Sequence, residues 1–334
     1  MHVKHPRIKL VFLMSAFMFF MTVTAIQAEP VRILSGACST SSSHYVYAVS
    51  AGKTINTVNG DEFNVTTVAT GGAVDNLERI NRGQLQIGLG TFAVFYEAYN
   101  GMGKFKDRAR KKTRALWLYS FNAQNYIVRA DSGITKLKEL EGKKFCPGYR
   151  GTACEVLVQS TMDSLGIKPE YYRGGLADAV AAVKDNRICG YVKAGGGLFL
   201  DASTKELRAF TKVRILDWNK DQIVQVNKYL PYLNFTTVPE GVAAEDVPEY
   251  TTPVQCIGYI GYNDSITEDQ VYTIVKTLCE EKKFQEAAYP AMKGFDIPKM
   301  TMKFTKFPLH MGTIRYFREI GIKIPDNLIP PEGK

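Results

Sequence analysis

Short apolar segments alternate with segments of helical pattern along most of the chain, and this alternation restricts the fold more than any other feature of the sequence. Residues 63–69 alternate in polarity and are rich in Val and Thr, which is typical of a strand. Residues 74–81 have a helical pattern that stops before Gly83. A second strand and helix follow over 86–90 and 92–100. Strands spaced by helices imply right-handed βαβ units, so the sequence predicts an α/β fold with mostly parallel sheets.

The alternation starts again after residue 131. Two strands, at 116–120 and 126–129, lead into this second series, which then has strands at 143–146, 171–173 and 188–192. Thr152 and Glu155 fit a capping box, in which both side chains satisfy free N–H groups at the start of a helix. A further helix is predicted over 176–184. Two separate series of this kind predict two α/β lobes.

The last part of the chain predicts a return to the first lobe. Residues 252–262 form an extended apolar run that is suited to cross between lobes. Thr267 and Gln270 fit a second capping box, and an apolar face with helical spacing follows. We therefore expect a first lobe of residues 29–127 plus 257–334 and a second lobe of residues 128–256, with hinges near 125–131 and 250–262.

Residues 1–28 have the pattern of a secretory signal peptide. The basic residues Lys4, Arg7 and Lys9 precede an apolar run, and the small Ala28 offers a cleavage site after it. An uncleaved membrane anchor stays open as an alternative, although the run is short against the ~20 residues that a membrane span needs. The sequence predicts an exported, periplasmic protein.

The charge of the chain points to small anions rather than to nucleic acid. The formal net charge is +9, and the three basic residues of the leader account for part of it, so +6 remains without them. This mild excess is spread along the chain, which favours an anionic small molecule or an acidic partner face and gives no support for nucleic-acid binding.

The sequence motifs of the common enzyme classes are absent. There is no HExxH, no GxxxxGK[ST] and no GxSxG, and outside the leader the only histidines are His44 and His310. We expect a binding protein with no catalytic residue, no cofactor and no metal. A Cys–His pair that uses Cys38 or Cys154 and a pair of carboxylates stay open as alternatives.

The six cysteines show no CxxC spacing. Cys146 and Cys189 end two apolar runs that are predicted to form neighbouring strands. An exported chain can form disulfides, so a bridge between these two residues and buried free thiols are both open.

Loops of small residues follow most of the predicted strands. In open α/β sheets ligands bind beyond the carboxyl ends of the strands, where helix N-termini offer free N–H groups to carboxylates. Such loops are also ordinary turns, which need Gly and Ser for their own conformation. Five loops at equivalent turns favour a cleft, with an aromatic side chain to cover the ligand. The candidate ligand-binding residues are Cys38, Ser39, Thr40, Ser41, Ser42, Gly72, Ala73, Asn76, Thr91, Tyr119, Gly151, Thr152, Ala153, Gly195 and Gly196.

Three segments resemble a known family, the TAXI-type solute receptors of TRAP transporters. They are the stretch Thr-Gly-Gly-Ala-Val-Asp-Asn-Leu at 70–77, the opening of the second lobe at 140–153, and the stretch at 307–321 that begins Phe-Pro-Leu-His-Met-Gly-Thr. The resemblance implies a two-lobed periplasmic binding protein of type II-like topology that closes on its ligand. It also implies membrane subunits of a TRAP transporter as partners, and glutamate-like or related organic acids as ligands.

The cleft residues depart from the pattern of that family. Ser41, Ser42 and Ser43 stand where Gly and paired Tyr are usual, Ala73 replaces Ser, and Thr91 and Ala93 replace Gln and Asp. These changes suggest a smaller or less polar acid. The function expected is that of a monomeric extracytoplasmic solute receptor. A ligand-sensing subunit of a membrane signalling system and a periplasmic enzyme are the alternatives.

The C-terminal stretch gives a local expectation of its own. Pro308 fits the first position of a helix, where its missing N–H costs nothing. Ile314, Phe317 and Ile320 share one face of that helix and are expected in the core. His310 near the helix start is expected to have a structural role.

Overall fold

The computed structural model describes residues 1–2, 29–40, 42–148 and 152–334. Except for its first two residues, the predicted signal peptide lies outside these ranges, and so do the candidate residues Ser41 and Gly151. Ala153 is described by its backbone alone.

The first lobe opens with two βαβ units. β1 pairs in parallel with β2 on one side and with β3 on the other. Each strand is followed by a helix, as the alternation predicted. The elements are β1 (Val31–Gly36), α1 (Ser43–Val58), β2 (Phe63–Val68), α2 (Ala73–Asn81), β3 (Ile87–Thr91) and α3 (Phe92–Asn100).

A single long strand, β4 (Thr113–Arg129), then leaves the first lobe. The prediction of two strands at 116–120 and 126–129 was wrong, because the polar residues between them were taken for a loop. Two of these residues, Asn122 and Asn125, are buried and bind to other parts of the chain. Asn122 Oδ1 accepts the Gly197 N–H at 3.2 Å, and Asn125 Oδ1 accepts the Tyr250 hydroxyl at 2.7 Å. Polar partners therefore allow the strand to continue across the junction.

The second lobe is built on the end of β4. β5 pairs in parallel with β6 and β7, and β7 and β8 pair antiparallel with β4. The sequence predicted the elements up to β7, but not those from α6 to β9. The elements are β5 (Lys144–Cys146), α4 (Ala153–Leu165), β6 (Glu170–Tyr171), α5 (Leu176–Lys184), β7 (Gly190–Ala194), α6 (Ala202–Phe210), β8 (Val213–Ile215), α7 (Lys220–Tyr229) and β9 (Asn234–Val238).

The chain returns through β10 (Tyr250–Tyr262), which covers the predicted crossing segment. β10 lies between β3 and β4, is antiparallel to both, and also pairs with β9. The sheet order is β2-β1-β3-β10-β4-β7-β5-β6. The sheets are therefore mixed rather than mostly parallel, because the two crossing strands run against their neighbours.

Four helices complete the first lobe. They are α8 (Glu268–Glu280), α9 (Lys283–Ala288), α10 (Ile297–Phe304) and α11 (Met311–Glu319). The predicted capping box at Thr267 is present, and the apolar face of α8 that was predicted from its spacing is buried.

The start of α11 differs from the prediction. Its N-cap is His310, and Pro308 precedes the helix in a segment that lies along β4, where its carbonyl accepts the Ala115 N–H at 2.9 Å. Ile314 and Phe317 are buried as predicted. Ile320 is 45% exposed because the helix has ended before it.

Each lobe has its own apolar core, which confirms the two-lobed α/β architecture. The first core contains Leu77, Val275 and Phe317, and the second contains Phe145 and Val158. The residue limits of the lobes stay a prediction. Among the helices of the described residues, none has the length and apolar character to cross a bilayer.

Candidate functional site

The three predicted loops of the first lobe meet at one edge of the sheet, because β1, β2 and β3 are parallel. Asn76, in the first turns of α2, ties the loop after β1 to strand β3. Its Nδ2 donates to the carbonyl of Ala37, after β1, at 2.7 Å and to the carbonyl of Leu89, in β3, at 2.8 Å. The Asn76 side chain is fully buried, so its amide nitrogen binds protein and fixes α2 against the loop after β1 and against β3.

The loop after β2 is shaped by internal hydrogen bonds and close packing. The Thr70 hydroxyl donates to the Ala37 carbonyl at 2.9 Å and accepts from the Gly72 N–H at 3.1 Å. A Cβ on Gly90 would lie 2.4 Å from the Cβ of Ala73. Packing therefore explains the small size of Ala73 and Gly90, whereas Gly72, at φ +90°, supplies a conformation that other residues rarely adopt.

The loop after β1 is the most accessible of the predicted loops. Ser39 and Thr40 are exposed, and Cys38 is half-buried. Ser42 caps α1, since its hydroxyl accepts the His44 N–H at 3.2 Å.

Tyr119 lies beneath this loop in a cluster of aromatic side chains. It is fully buried and stacks on Tyr47 at 3.6 Å between ring centroids. Its hydroxyl is 3.1 Å from Nδ1 of His44. Burial lowers the pKa of His44 and raises that of Tyr119, so both groups are neutral near pH 7.

The two predicted loops of the second lobe also share an edge, since β5 and β7 are parallel. The Thr152 hydroxyl accepts the Glu155 N–H at 3.2 Å, as its capping role predicted. Gly195 donates to the Ala123 carbonyl at 2.9 Å, and a Cβ on it would lie 1.8 Å from the Phe199 carbonyl oxygen. Close backbone approach thus explains Gly195, while Gly196 is exposed with open space around it.

A cavity of about 320 Å³ lies between the two lobes. We call it the cleft cavity. The start of α3 and Lys104 form its wall on the first lobe. The outer face of α4 and the segment before β9 form the opposite wall. Residues 254–256 of β10 also line it. Its lining residues are Thr91, Phe92, Ala93, Val94, Glu97, Lys104, Val156, Leu157, Ser160, Tyr232, Leu233, Asn234, Val254, Gln255 and Cys256.

The charged groups near the cleft cavity are few. Burial and the neighbouring Glu97 carboxylate raise the pKa of the Tyr232 phenol. Lys306 does not line the cavity but is half-buried next to it. Its Nζ donates to the carbonyls of Pro231 at 2.9 Å and Leu233 at 3.1 Å. Burial lowers the pKa of Lys306. Its ammonium is thus held by neutral oxygens rather than by a carboxylate.

The cysteines are free thiols in this structure. Burial raises the pKa of Cys154 to about 12 and that of Cys189 to about 11, so neither is a thiolate at neutral pH. Within the residues that the structure describes, no group of three or more His, Cys, Asp and Glu side chains is placed to hold a metal ion.

Of the candidate residues that are described, Thr91 lines the cleft cavity. Sequence reasoning missed the other lining residues because it looked for small and polar loop residues. The sequence offered one weak signal: Val156 and Ser160 are four residues apart and therefore share a face of the predicted capped helix.

A family model described as the NMT1-like family matches residues 35–321 of the chain. A TctC solute-binding protein from Polaromonas is similar in structure, with 13% identity, a TM-score of 0.49, and coverage of 80% of this chain and 88% of its own. A putative periplasmic sulfonate-binding protein, SsuA, from Methylobacillus flagellatus has 12% identity, a TM-score of 0.49 and coverage of 88% of both chains. A TRAP periplasmic solute-binding protein from Ochrobactrum anthropi has 10% identity and a TM-score of 0.45, over 91% of this chain and 85% of its own.

Proposed function

The chain belongs to the NMT1-like family, and from this premise we propose that it is an extracytoplasmic solute receptor of a TRAP-type transporter, of the TAXI kind, that holds a small organic acid between its lobes. The observation that carries the proposal is the cleft cavity. Its volume of about 320 Å³ is at the lower end of the ~300–1,000 Å³ that is typical of small-molecule sites.

The two crossing strands supply the mechanism of closure. β4 and β10 run side by side through the junction of the lobes, so a bend in both strands moves one lobe against the other. A solute that contacts α3 and α4 together favours the closed form, because only that form brings both helices against it. The closed receptor then docks on the membrane subunits of the transporter.

The remaining parts of the proposal follow from the sequence. The chain works in the periplasm after cleavage of its signal peptide behind Ala28, acts as a monomer, and binds its solute without catalysis. The resemblance of the stretch at 307–321 to TAXI-type receptors supports the transporter class. The modest positive charge supports an anionic solute.

Purified protein is expected to be stabilised by organic acids. An acid present at about 100 times its dissociation constant raises the free energy of unfolding by about 2.7 kcal/mol, which a thermal-shift measurement detects. Native mass spectrometry of the protein as purified shows whether a small molecule is already bound. The panel contains dicarboxylates, aliphatic monocarboxylates and aromatic acids.

Two outcomes contradict the proposal. One is a panel without any shift in melting temperature together with protein that carries no small molecule. The other is conversion of a bound acid to a product during incubation with the protein, which would indicate an enzyme.

A further inference from the structure

We infer that the solute is a small amphipathic monoanion, which places its acid group at the start of α3 beside Lys104 and its apolar body against α4. This inference rests on the proposed function and specifies the chemical class of the solute. It follows from three properties of the cleft cavity: the apolar wall, the position of the positive charges, and the absence of a second cationic group in the described lining.

The wall formed by α4 consists mainly of apolar side chains that line the cavity. Val156 is 62% exposed, and Leu157 beside it is half-buried. On the facing side, Phe92 and Val94 of α3 also line the cavity. Water in a space between such walls is displaced favourably by hydrocarbon, so the body of the solute is aliphatic or aromatic.

The positive end of the cavity is the start of α3. The first-turn residues Phe92, Ala93 and Val94 line it, and helix geometry leaves the N–H groups of a first turn without helical partners. The N-cap Thr91 makes no side-chain cap hydrogen bond to them. An acid group placed here receives hydrogen bonds and faces the positive end of the helix dipole.

Lys104 adds positive charge at this end of the cavity, whereas Lys306 lies behind the opposite wall. Lys104 is exposed at its rim, and Lys306 lies behind Leu233, where its ammonium is bound to carbonyl oxygens. Among the described lining residues there is one carboxylate, Glu97, which adjoins the Tyr232 hydroxyl. With Lys306 counted, the two lysines exceed the one carboxylate by a single positive charge, which a singly charged solute compensates.

The opposite wall argues against a second acid group. Among the described lining residues Lys104 is the one cationic side chain, and α4 presents Val156, Leu157 and the hydroxyl-bearing Ser160. A carboxylate that is placed against valine and leucine loses its hydration without gaining a charged partner, which is costly. Glutamate and other dicarboxylates are therefore poor solutes for this cavity.

The test is titration calorimetry of the full mature chain with matched probes. Phenylacetate and 4-methylpentanoate are compared with their primary amides and with glutamate and succinate. We expect the monocarboxylates to bind at least tenfold more tightly than the amides and the dicarboxylates. Val156→Asp places a carboxylate on the apolar wall and is expected to weaken binding of the monocarboxylates at least tenfold.

Val224→Asp is the matched control. Val224 is a 60% exposed valine on α7, outside the cleft cavity, so this variant is expected to bind like the wild type. Because both valines are exposed, both variants should keep the circular dichroism spectrum and melting temperature of the unliganded protein. A third variant, Lys104→Gln, is expected to reduce the preference for carboxylate over amide.

The outcomes separate this inference from the proposed function. If dicarboxylates bind more tightly than monocarboxylates, or if Val156→Asp binds as well as Val224→Asp, the inference is wrong while the receptor function stands. If none of the acids binds and the purified protein carries no small molecule, both fail.

Discussion

Replacement of Asn76 by aspartate is expected to lower the free energy of unfolding by about 4 kcal/mol at neutral pH. The side chain of Asn76 is fully buried, and its Nδ2 donates to the carbonyls of Ala37 and Leu89. Aspartate has the same shape, so the variant leaves no cavity. It places a carboxylate against two carbonyl oxygens, and a buried charge without a partner costs roughly 3–5 kcal/mol. Protonation relieves that charge, so the loss should shrink as the pH falls.

Asn100→Asp is the control for this measurement. Asn100 ends α3 and is exposed, and its Nδ2 donates to the Tyr96 carbonyl at 3.0 Å. Surface substitutions of this kind usually change stability by about 0.5 kcal/mol or less. Urea denaturation of both variants at neutral and acidic pH provides the comparison. Equal stability of the two variants at neutral pH would show that Asn76 does not fix the loop after β1 against β3.

The second large expected effect is a decrease in the free energy of unfolding in acid, which is caused by protonation of His310. Burial lowers the pKa of this histidine from 6.5 to about 4. Its Nδ1 accepts the Gly312 N–H at 3.2 Å, and its Nε2 lies 3.2 Å from the Ile266 carbonyl oxygen. Both contacts are satisfied by the neutral ring with its proton on Nε2. A proton on Nδ1 would remove the cap of α11.

The direction of the pH effect follows from the pKa of His310 in the unfolded chain and in the folded chain. Between about pH 6.5 and about pH 4 the unfolded chain binds a proton at this position that the folded chain excludes. The contribution of His310 is therefore complete above pH 6.5 and is lost as the pH falls to about 4. At ~1.36 kcal/mol per pKa unit, the loss amounts to about 3 kcal/mol.

His310→Asn isolates this contribution. Asparagine is a good N-cap, so the helix start is retained while the titrating ring is removed. The difference in unfolding free energy between wild type and variant should change by about 3 kcal/mol from pH 7.5 to about pH 4, because all other titrating groups are common to both proteins. A pH-independent difference, or an NMR titration that places the His310 pKa near 6.5, would contradict the assignment.

Local sequence patterns predicted the βαβ units because those units are specified locally. The Val- and Thr-rich β2, the stop at Gly83 and the capping box at Thr267 are each decided within a few residues. The continuity of β4 was not predictable in this way. Asn122 and Asn125 look like loop residues until the partners at Gly197 and Tyr250, far along the chain, are known.

The candidate site was harder to predict for the same reason. Small residues mark the turns at the strand ends, and the sequence located these turns well. It could not distinguish Gly195, which is small because Phe199 approaches it, from a residue that leaves room for a ligand. The cleft cavity combines α3, α4 and β10, and no periodicity in the sequence connects these three elements.

The position of β10 has a consequence for synthesis. It fills the gap between β3 and β4, although the whole second lobe precedes it in the chain. A ribosome that adds ~5–20 residues per second spends on the order of ten seconds between these strands. Throughout that interval no strand lies between β3 and β4, so the sheet of the first lobe is completed only after the second lobe has been synthesised.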